Sequence, residues 1–193
     1  MAVLTEAEFL ELLKDTGALL EGHFLLSSGL HSQKYVQCAR LLQHPKLAER
    51  ACRALAERVR SWGEVDAVVG PALGGIIVAH ELARALGARG MFAEREAGRM
   101  TLRRGFEIVP GERVLIAEDV VTTGRSSLEV AELVASLGGK VVGVACLVDR
   151  RPGGGFPFPL VSLARLAIEA FPPEECPLCR RGLPVEKPGS RPQ

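Results

Sequence analysis

The order of apolar and polar positions along residues 65–150 predicts alternating strands and helices. Short apolar runs typical of buried strands alternate with segments whose apolar residues recur at helical spacing. The predicted strands are residues 65–70, 90–95, 113–119 and 140–150, and the predicted helices are 74–87 and 126–139. Nearly continuous apolar strands separated by helices favour an α/β fold, with a central, mostly parallel sheet flanked by helices.

Two more helices are predicted nearer the amino terminus. Thr5 and Glu8 form a capping-box pattern in front of apolar residues with helical spacing. Residues 45–62 carry an apolar face that ends at Trp62. Residues 96–106 form a polar, basic segment, and the Pro/Gly-rich residues 181–193 predict a loose tail.

Composition narrows the class of protein. The 193 residues are 47% hydrophobic and 24% charged, which suits a single domain over residues 1–193. Lys+Arg (24) and Asp+Glu (23) nearly cancel, so no broad basic field is available for nucleic acid, and we expect no nucleic-acid partner. Apolar runs of strand length and an acidic, amphipathic start predict no membrane association and a cytoplasmic location.

The segment from Val114 to Ser127, VLIAEDVVTTGRSS, carries the strongest chemical signal. It predicts a buried strand that ends in Glu118 and Asp119 and then a small, polar turn into a helix. Free N–H groups at a helix start can bind phosphate, and Gly124 would let the backbone approach it closely. Carboxylates repel phosphate but suit sugar hydroxyls or magnesium. The hydroxyl groups available to the phosphate are those of Thr122, Thr123, Ser126 and Ser127.

Other interpretations of this segment remain open on the pattern alone. A Walker-B-type nucleotide site would need a GxxxxGK[ST] loop, and a dinucleotide site would need GxGxxG after a strand; neither motif occurs. A capped strand–helix turn with solvated carboxylates is the purely structural alternative.

The same segment closely resembles the phosphoribosyl-pyrophosphate (PRPP) motif of the type I phosphoribosyltransferase family. The resemblance extends over most of the chain and narrows to the orotate phosphoribosyltransferases. It rests also on residues 24–38, FLLSSGLHSQKYVQC, on residues 146–154, CLVDRRPGG, and on the tail from Cys176. It implies a small hood formed by residues of about 1–40 and 155–180 over the central sheet, and a flexible loop at about 94–106.

The resemblance also implies roles for individual residues. Glu118 and Asp119 would hold the ribose 2′- and 3′-hydroxyls, and Arg150 would bind the orotate carboxylate, for which a guanidinium is well shaped. An exposed basic residue at a strand end is the structural alternative for Arg150, and Arg151 is interpreted as a surface charge. Thr122 would also lie near orotate. The residues that would cradle the 5-phosphate are Val120, Val121, Thr122, Thr123, Gly124, Arg125 and Ser126.

In the reaction implied by the resemblance, a ring nitrogen of orotate displaces pyrophosphate from ribose C1. Magnesium, held mainly by PRPP with Glu118 and Asp119 as the candidate neighbours, would neutralise the pyrophosphate together with loop cations. The loop would reach into the neighbouring subunit's site, which implies a homodimer. A solvated basic loop is the alternative for the catalytic candidates Arg95, Arg99, Arg103 and Arg104.

The chain departs from the family pattern at three places where many members carry cationic residues. Many members carry lysine where Ser27 and Gly74 stand, and the usual loop pattern Arg-Lys-x-x-Lys-x-His is not reproduced. The turn at residues 68–75, VVGPALGG, could place backbone N–H groups against pyrophosphate, or it could be only a tight strand-to-helix turn.

Cys176 and Cys179 in CPLC have the spacing of half a zinc site or of a redox pair. No second Cys pair and no histidine stands near them in the sequence, so helix-end packing is favoured over a zinc bridge across a dimer. His31 falls in the family's substrate segment, whereas His23, His44 and His80 receive no role.

Two other functions compete with orotate transfer. One is transfer to another base, such as adenine or uracil. Arg150, which suits an acidic base, and residues 27–32 favour orotate over these bases. The other is a PRPP- or nucleotide-binding regulatory protein on the same fold, against which the balanced charge speaks.

Overall fold

The computed structural model describes residues 4–26 and 28–188. The helices are α1 (Glu6–Asp15), α2 (Ala39–Leu42), α3 (Pro45–Val59), α4 (Gly74–Leu86), α5 (Arg125–Ser136) and α6 (Pro177–Arg180), and a 3₁₀ turn (Arg60–Trp62) follows α3. The strands are β1 (Leu19–Leu25), β2 (His31–Val36), β3 (Ala67–Pro71), β4 (Arg89–Glu96), β5 (Arg99–Leu102), β6 (Arg113–Val121), β7 (Lys140–Asp149), β8 (Leu160–Arg165) and β9 (Ala170–Phe171). Within these described ranges no helix has the length and apolar character needed to cross a membrane.

The central sheet has six strands in the order β5-β4-β3-β6-β7-β8. All neighbours pair in parallel except β5, which runs antiparallel to β4 at the edge. The chain builds outwards from β3 to β4 and then crosses to β6 on the other side of β3. This reversal creates a crevice at the carboxyl ends of β3 and β6, which is where ligands bind in open α/β sheets.

Apolar side chains cover both faces of this sheet, which explains the nearly continuous apolar strands. On one face Leu115 and Leu147 belong to a core cluster that contains Leu55 of α3 and Leu82 of α4. On the other face Ile116 belongs to a second cluster, built with α5. The predicted α/β architecture with a mostly parallel sheet is therefore confirmed.

A second, three-stranded sheet joins the two ends of the chain. Its order is β1-β2-β9, and both pairings are antiparallel. It combines parts of the segments 1–40 and 155–180 that were predicted to form a hood. These strands were not predicted, because β1 and β2 lack clean alternation and β9 has only two residues.

The segment after α6 is not as loose as predicted. The Glu186 N–H donates to the His23 carbonyl at 2.8 Å, and the Leu25 N–H donates to the Glu186 carbonyl at 2.8 Å. The tail therefore lies along β1 up to this point. Residues 189–193, with 1–3 and Ser27, lie outside the described residues.

Other boundaries differ from the predictions in instructive ways. The capping box of α1 is present, with the Glu8 N–H donating to Thr5 Oγ1 at 3.3 Å and the Thr5 N–H to Glu8 Oε2 at 2.8 Å. The helix predicted over 45–62 changes to a 3₁₀ turn after Val59. The segment at about 94–106, which the resemblance implied to be a flexible loop, contains β5, because Ala97 and Gly98 adopt positive φ angles of 46° and 84° and form a tight hairpin turn.

Candidate active site

The turn between β6 and α5 leaves a helix start open to solvent. Gly124 caps α5 with a φ of 78° and has no side chain to cap the helix, while the Arg125 N–H donates to Thr123 Oγ1 at 3.3 Å. Thr122 and Thr123 are exposed, and Ser126 is half-buried. A Cβ atom on Gly124 would overlap the Phe156 ring, so the turn requires glycine both for its backbone angle and for space. This arrangement is suited to binding phosphate.

Glu118 and Asp119 stand immediately before this turn, at the end of β6. Burial raises the pKa of the Glu118 carboxyl well above its usual value, and the charge of Asp119 raises it further. Burial also raises the pKa of Asp119, whose Oδ1 accepts a 2.8 Å hydrogen bond from the Val120 N–H. A buried Glu118 and a half-buried Asp119 are costly to ionise together, so hydroxyl donors or a cation would stabilise the pair.

Gly74, at the start of α4, explains how Asp119 is accommodated. A Cβ atom on Gly74 would lie 2.6 Å from Asp119 Cγ. A side chain at this position, including the lysine of many family members, would therefore require Asp119 to move. The lack of a side chain at position 74 therefore makes room for the Asp119 carboxylate.

The turn from β3 to α4 lies tightly against β6. A Cβ atom on Gly75 would come within 2.8 Å of the Ala117 carbonyl oxygen, and one on Gly70 would overlap the Gly75 backbone. The peptide bond between Ala72 and Leu73 is cis. The tight strand-to-helix turn predicted for residues 68–75 is therefore present. Contact between its backbone N–H groups and pyrophosphate stays a prediction.

Arg150 follows β7 and adjoins the same turn. Its N–H donates to the Val121 carbonyl at 2.8 Å, and its buried Nε has no hydrogen-bond partner among the described residues. Burial lowers the pKa of the guanidinium, and the neighbouring Tyr35 partly offsets this effect. Arginine stays charged even so, and no described carboxylate forms an ion pair with this half-buried guanidinium, so a bound anion would stabilise it.

Arg151 is not the surface charge that was predicted. Its guanidinium donates two hydrogen bonds to the Asp149 carboxylate, at 3.0 and 2.9 Å, and lies 5.0 Å from the centre of the Phe156 ring. The side chain is only 14% exposed. Arg151 therefore supports the ring that borders Gly124, and of these two arginines it is Arg150 whose buried donor has no partner within residues 4–26 and 28–188.

The arginines of the β4–β5 hairpin differ in their surroundings. Arg104 Nη2 pairs with Glu94 at 2.8 Å, and Arg103 Nη1 lies 3.5 Å from Glu96. Arg99 is exposed, and no described carboxylate forms an ion pair with it. Among the four candidates it is the cation most available to a ligand.

Arg95 joins the hairpin to the phosphate turn. Its guanidinium pairs with Glu129 of α5 and donates to the Gly98 carbonyl at 2.7 Å. Glu129 Oε1 also accepts a 2.8 Å hydrogen bond from Arg125. The hydrogen bond from Arg95 lowers the pKa of Glu129 despite the opposing effect of burial, and Arg125 contributes in the same direction.

Comparison with known proteins agrees with this geometry. A family model described as "Phosphoribosyl transferase domain" matches residues 37–159. Orotate phosphoribosyltransferase of Caldicellulosiruptor bescii is 55% identical over 184 residues, covering 95% of this chain and 96% of the relative. The enzyme of Desulforamulus reducens is 50% identical over 97% of this chain and 98% of its own length. The chain belongs to the orotate phosphoribosyltransferase family.

Solved structures support the same family assignment. Orotate phosphoribosyltransferase from Aeropyrum pernix has a TM-score of 0.70 and 32% identity, covering 81% of this chain and 92% of that chain. The Mycobacterium tuberculosis orotate phosphoribosyltransferase in complex with PRPP has a TM-score of 0.62 and 28% identity, covering 86% and 92%. Adenine phosphoribosyltransferase from Rhodothermus marinus also has a TM-score of 0.62, so the fold alone does not decide the base.

Three features of this orotate phosphoribosyltransferase family member were missed in the sequence. Tyr35 influences Arg150 from β2, Phe156 borders Gly124, and Glu129 joins Arg95 to Arg125. The i, i+4 spacing of Arg125 and Glu129 was a readable local signal. Tyr35 and Phe156 gave none, because their neighbours are distant in the chain.

Proposed function

We propose that this protein transfers the 5-phosphoribosyl group from PRPP to orotate, giving orotidine 5′-monophosphate and pyrophosphate in pyrimidine (UMP) biosynthesis. The observation that carries the proposal is the Nε of Arg150, which is buried beside the turn of residues 122–126 and has no hydrogen-bond partner among the residues described. The turn suits a sugar phosphate, and the guanidinium suits the carboxylate that distinguishes orotate from adenine and uracil.

The sugar is held by the two sides of the turn. Backbone N–H groups and hydroxyls at the start of α5 bind the 5-phosphate, while Glu118 and Asp119 accept hydrogen bonds from the 2′- and 3′-hydroxyls. Because the carboxylates precede the turn and the phosphate subsite follows it, the negative charges of the two groups are kept apart. This fixes ribose C1 near the end of β7, where Arg150 orients orotate.

Magnesium is the proposed cofactor, and the donor set fits it. Two carboxyl groups whose pKa values are raised by burial lie next to the diol subsite, and carboxylate oxygen is a ligand that magnesium prefers. When bound, magnesium neutralises charge on the pyrophosphate leaving group. Glu118 and Asp119 would hold the complex mainly through the ribose, with PRPP oxygens supplying most of the metal's ligands.

The reaction needs no nucleophile from the protein. The ring nitrogen of orotate forms the new bond to C1 as the bond to pyrophosphate breaks, so the protein's part is orientation, charge neutralisation and exclusion of water. Arg99 is the hairpin cation that we assign to the leaving group, since Arg103 and Arg104 already face carboxylates. Arg95 positions the hairpin through Glu129.

The protein acts as a homodimer in the cytoplasm in this proposal, with each hairpin serving its neighbour's site. Leu73 and Ile77, one helical turn apart at the start of α4, are 77% and 43% exposed. Large apolar side chains adjoining the crevice favour contact with a second copy. The hairpin lies at the edge of the central sheet, and the side chains at its tip, residues 96–99, are exposed and available to a second subunit.

A base panel tests the proposed function. Purified protein with PRPP and magnesium is given orotate, uracil or adenine, and substrate loss is followed by ultraviolet absorbance and product by chromatography. We expect turnover of orotate alone, with orotidine 5′-monophosphate and pyrophosphate in equal amounts. Turnover of adenine or uracil would contradict the base assignment, and salt-sensitive binding of RNA or DNA without turnover would indicate a regulatory protein.

A further inference from the structure

Four side chains that the proposed reaction does not use converge at the hood. They are His23 of β1, His31 of β2, and Cys176 and Cys179 at the start of α6. One ligand atom from each lies within 4.8 Å of all the others. His23, His31 and Cys176 are buried, and only Cys179 is exposed. The cysteine pair therefore has the two additional ligands that the sequence did not reveal, contrary to the prediction of simple helix-end packing.

The spacing of these atoms is close to that of a tetrahedral metal site. The Cys176 and Cys179 sulfurs lie 3.5 and 3.6 Å from His23 Nε2, and the Cys179 sulfur lies 3.2 Å from His31 Nδ1. Zinc bonds of about 2.0–2.1 Å to nitrogen and 2.3 Å to sulfur place such ligand atoms roughly 3.3–3.8 Å apart. The two nitrogens, at 2.8 Å, need to separate only slightly.

The orientation of His23 is already set for coordination. Its Nδ1 lies 2.9 Å from the Leu183 carbonyl oxygen, which can only accept a hydrogen bond. Nδ1 therefore carries the proton, and Nε2 presents its lone pair to the two sulfurs. Metal-bound histidines are typically oriented in this way, through a backbone carbonyl that accepts from the other ring nitrogen.

We propose that His23, His31, Cys176 and Cys179 form a structural zinc site. Two thiols and two imidazoles select zinc over magnesium or calcium, and four protein ligands leave no open position for catalysis. Binding releases one proton from each thiol, and the two thiolates balance the charge of the ion. All four ligands belong to one chain, so the site does not require the bridge between subunits that the sequence left open.

Zinc here would tie the carboxyl-terminal segment to the hood. The ligands come from β1, β2 and the helix that follows β9, and His31 is paired with Phe171 of β9 in the sheet register. β2 also carries Tyr35, which neighbours Arg150. The site would therefore fix the strand that borders the proposed orotate subsite, although the zinc proposal does not depend on the identity of the base.

Metal analysis of the full chain tests the site directly. The protein is purified under reducing conditions with zinc present, dialysed, and analysed for zinc by mass spectrometry, beside Cys179→Ser and Cys52→Ser. Cys52 is a buried cysteine of α3 outside the cluster and serves as the matched control. We expect one zinc per chain in the wild type and in Cys52→Ser and almost none in Cys179→Ser. Equal zinc content in all three, or none in the folded wild type, would overturn the proposal.

Cobalt substitution tests the metal site in the wild-type chain, and it therefore applies even if Cys179→Ser fails to fold. The wild-type chain is stripped with a chelator and titrated with Co²⁺. We expect intense visible bands of tetrahedral cobalt, a thiolate-to-cobalt charge-transfer band, and saturation at one equivalent that zinc reverses. Weak octahedral bands, or a Cys176–Cys179 disulfide in protein kept free of oxygen, would overturn the proposal. Chelation should also lower the melting temperature of the wild type but not that of Cys179→Ser.

Discussion

At the scale of single residues, Arg150 differs from the neighbouring Arg151 in its hydrogen bonding. Its neighbour Arg151 is satisfied by Asp149, whereas the Arg150 Nε is buried and has no partner in the part of the chain that the structure describes. Such a group costs free energy until an anion reaches it, so its contribution should appear in the binding of the acidic base.

We expect Arg150→Ala to raise the KM for orotate roughly ten- to a hundredfold, the range for losing a hydrogen bond to a charged group. The KM for PRPP should change little. Steady-state kinetics with each substrate varied in turn provides the measurement, with Arg60→Ala, whose side chain pairs with Glu57, as the control. An equal loss for both substrates would mean that Arg150 does not bind orotate.

Glu118 illustrates the cost of a buried binding group. Its folded-state pKa is raised by burial and by Asp119, so the ionised carboxylate destabilises the free protein. The destabilisation is absent below the usual glutamate value of 4.5, grows as pH rises from there towards the raised folded-state pKa, and is constant above it.

Glu118→Gln should therefore raise the melting temperature by a few degrees at neutral pH and leave it unchanged at low pH. The same variant should bind PRPP more weakly, because an amide is a poorer acceptor for the ribose hydroxyls than a carboxylate. Calorimetry across pH, with the exposed Glu21→Gln as control, measures the stability effect. A loss of stability at neutral pH would show that Glu118 is already satisfied in the free protein.

At the scale of elements, the turn from β6 to α5 combines two constraints on one glycine. Gly124 has a φ of 78°, and a Cβ there would overlap Phe156. Gly111 has a similar φ of 91°, but nothing lies within 4 Å of the position its Cβ would take. The two positions therefore separate backbone strain from crowding.

Gly111→Ala should lower the free energy of unfolding by roughly 1–2 kcal/mol, the cost of a left-handed conformation. Gly124→Ala should cost about 1–3 kcal/mol more, since the Phe156 ring must move, and it should also raise the KM for PRPP. Urea denaturation gives the first quantity, and initial rates give the second. Similar stability for the two variants would mean that the Phe156 ring yields at no cost.

The elements that could be predicted were those whose signal is local. The strand–turn–helix of residues 113–136 has apolar periodicity, acids and glycine in one stretch, so its form was readable. The hairpin turn at Ala97 and Gly98 was missed, although alternation in the following strand was present. The four-residue cluster at the hood could not be found, because its histidines and cysteines are about 150 residues apart.

At the scale of the whole molecule, the reversal of strand order places the site. Because β3 and β6 are neighbours in the sheet, the turn at residues 70–75, the acids of β6 and Arg150 after β7 lie along one edge. An α/β pattern predicts such an edge, but it does not specify which strands are neighbours in the sheet. The resemblance to the phosphoribosyltransferases supplied the roles of residues at this edge, whereas the order of the strands comes from the structure.

The same edge ends in the β4–β5 hairpin, and this raises the question of which subunit the hairpin serves. In a homodimer whose hairpins cross, Arg99 and Arg150 of one site come from different chains. An Arg99→Ala chain and an Arg150→Ala chain, each poorly active alone, would then form mixed dimers that contain one intact site.

Mixing and reassociating equal amounts of the two variants should therefore restore about a quarter of the wild-type activity, since half of the dimers are mixed and half of their sites are intact. Each variant reassociated with itself is the control, and sedimentation verifies that dimers have formed. If Arg99 served its own chain, every site in a mixed dimer would carry one substitution. Activity no greater than the mean of the two variants would thus show that the hairpin completes its own subunit's site.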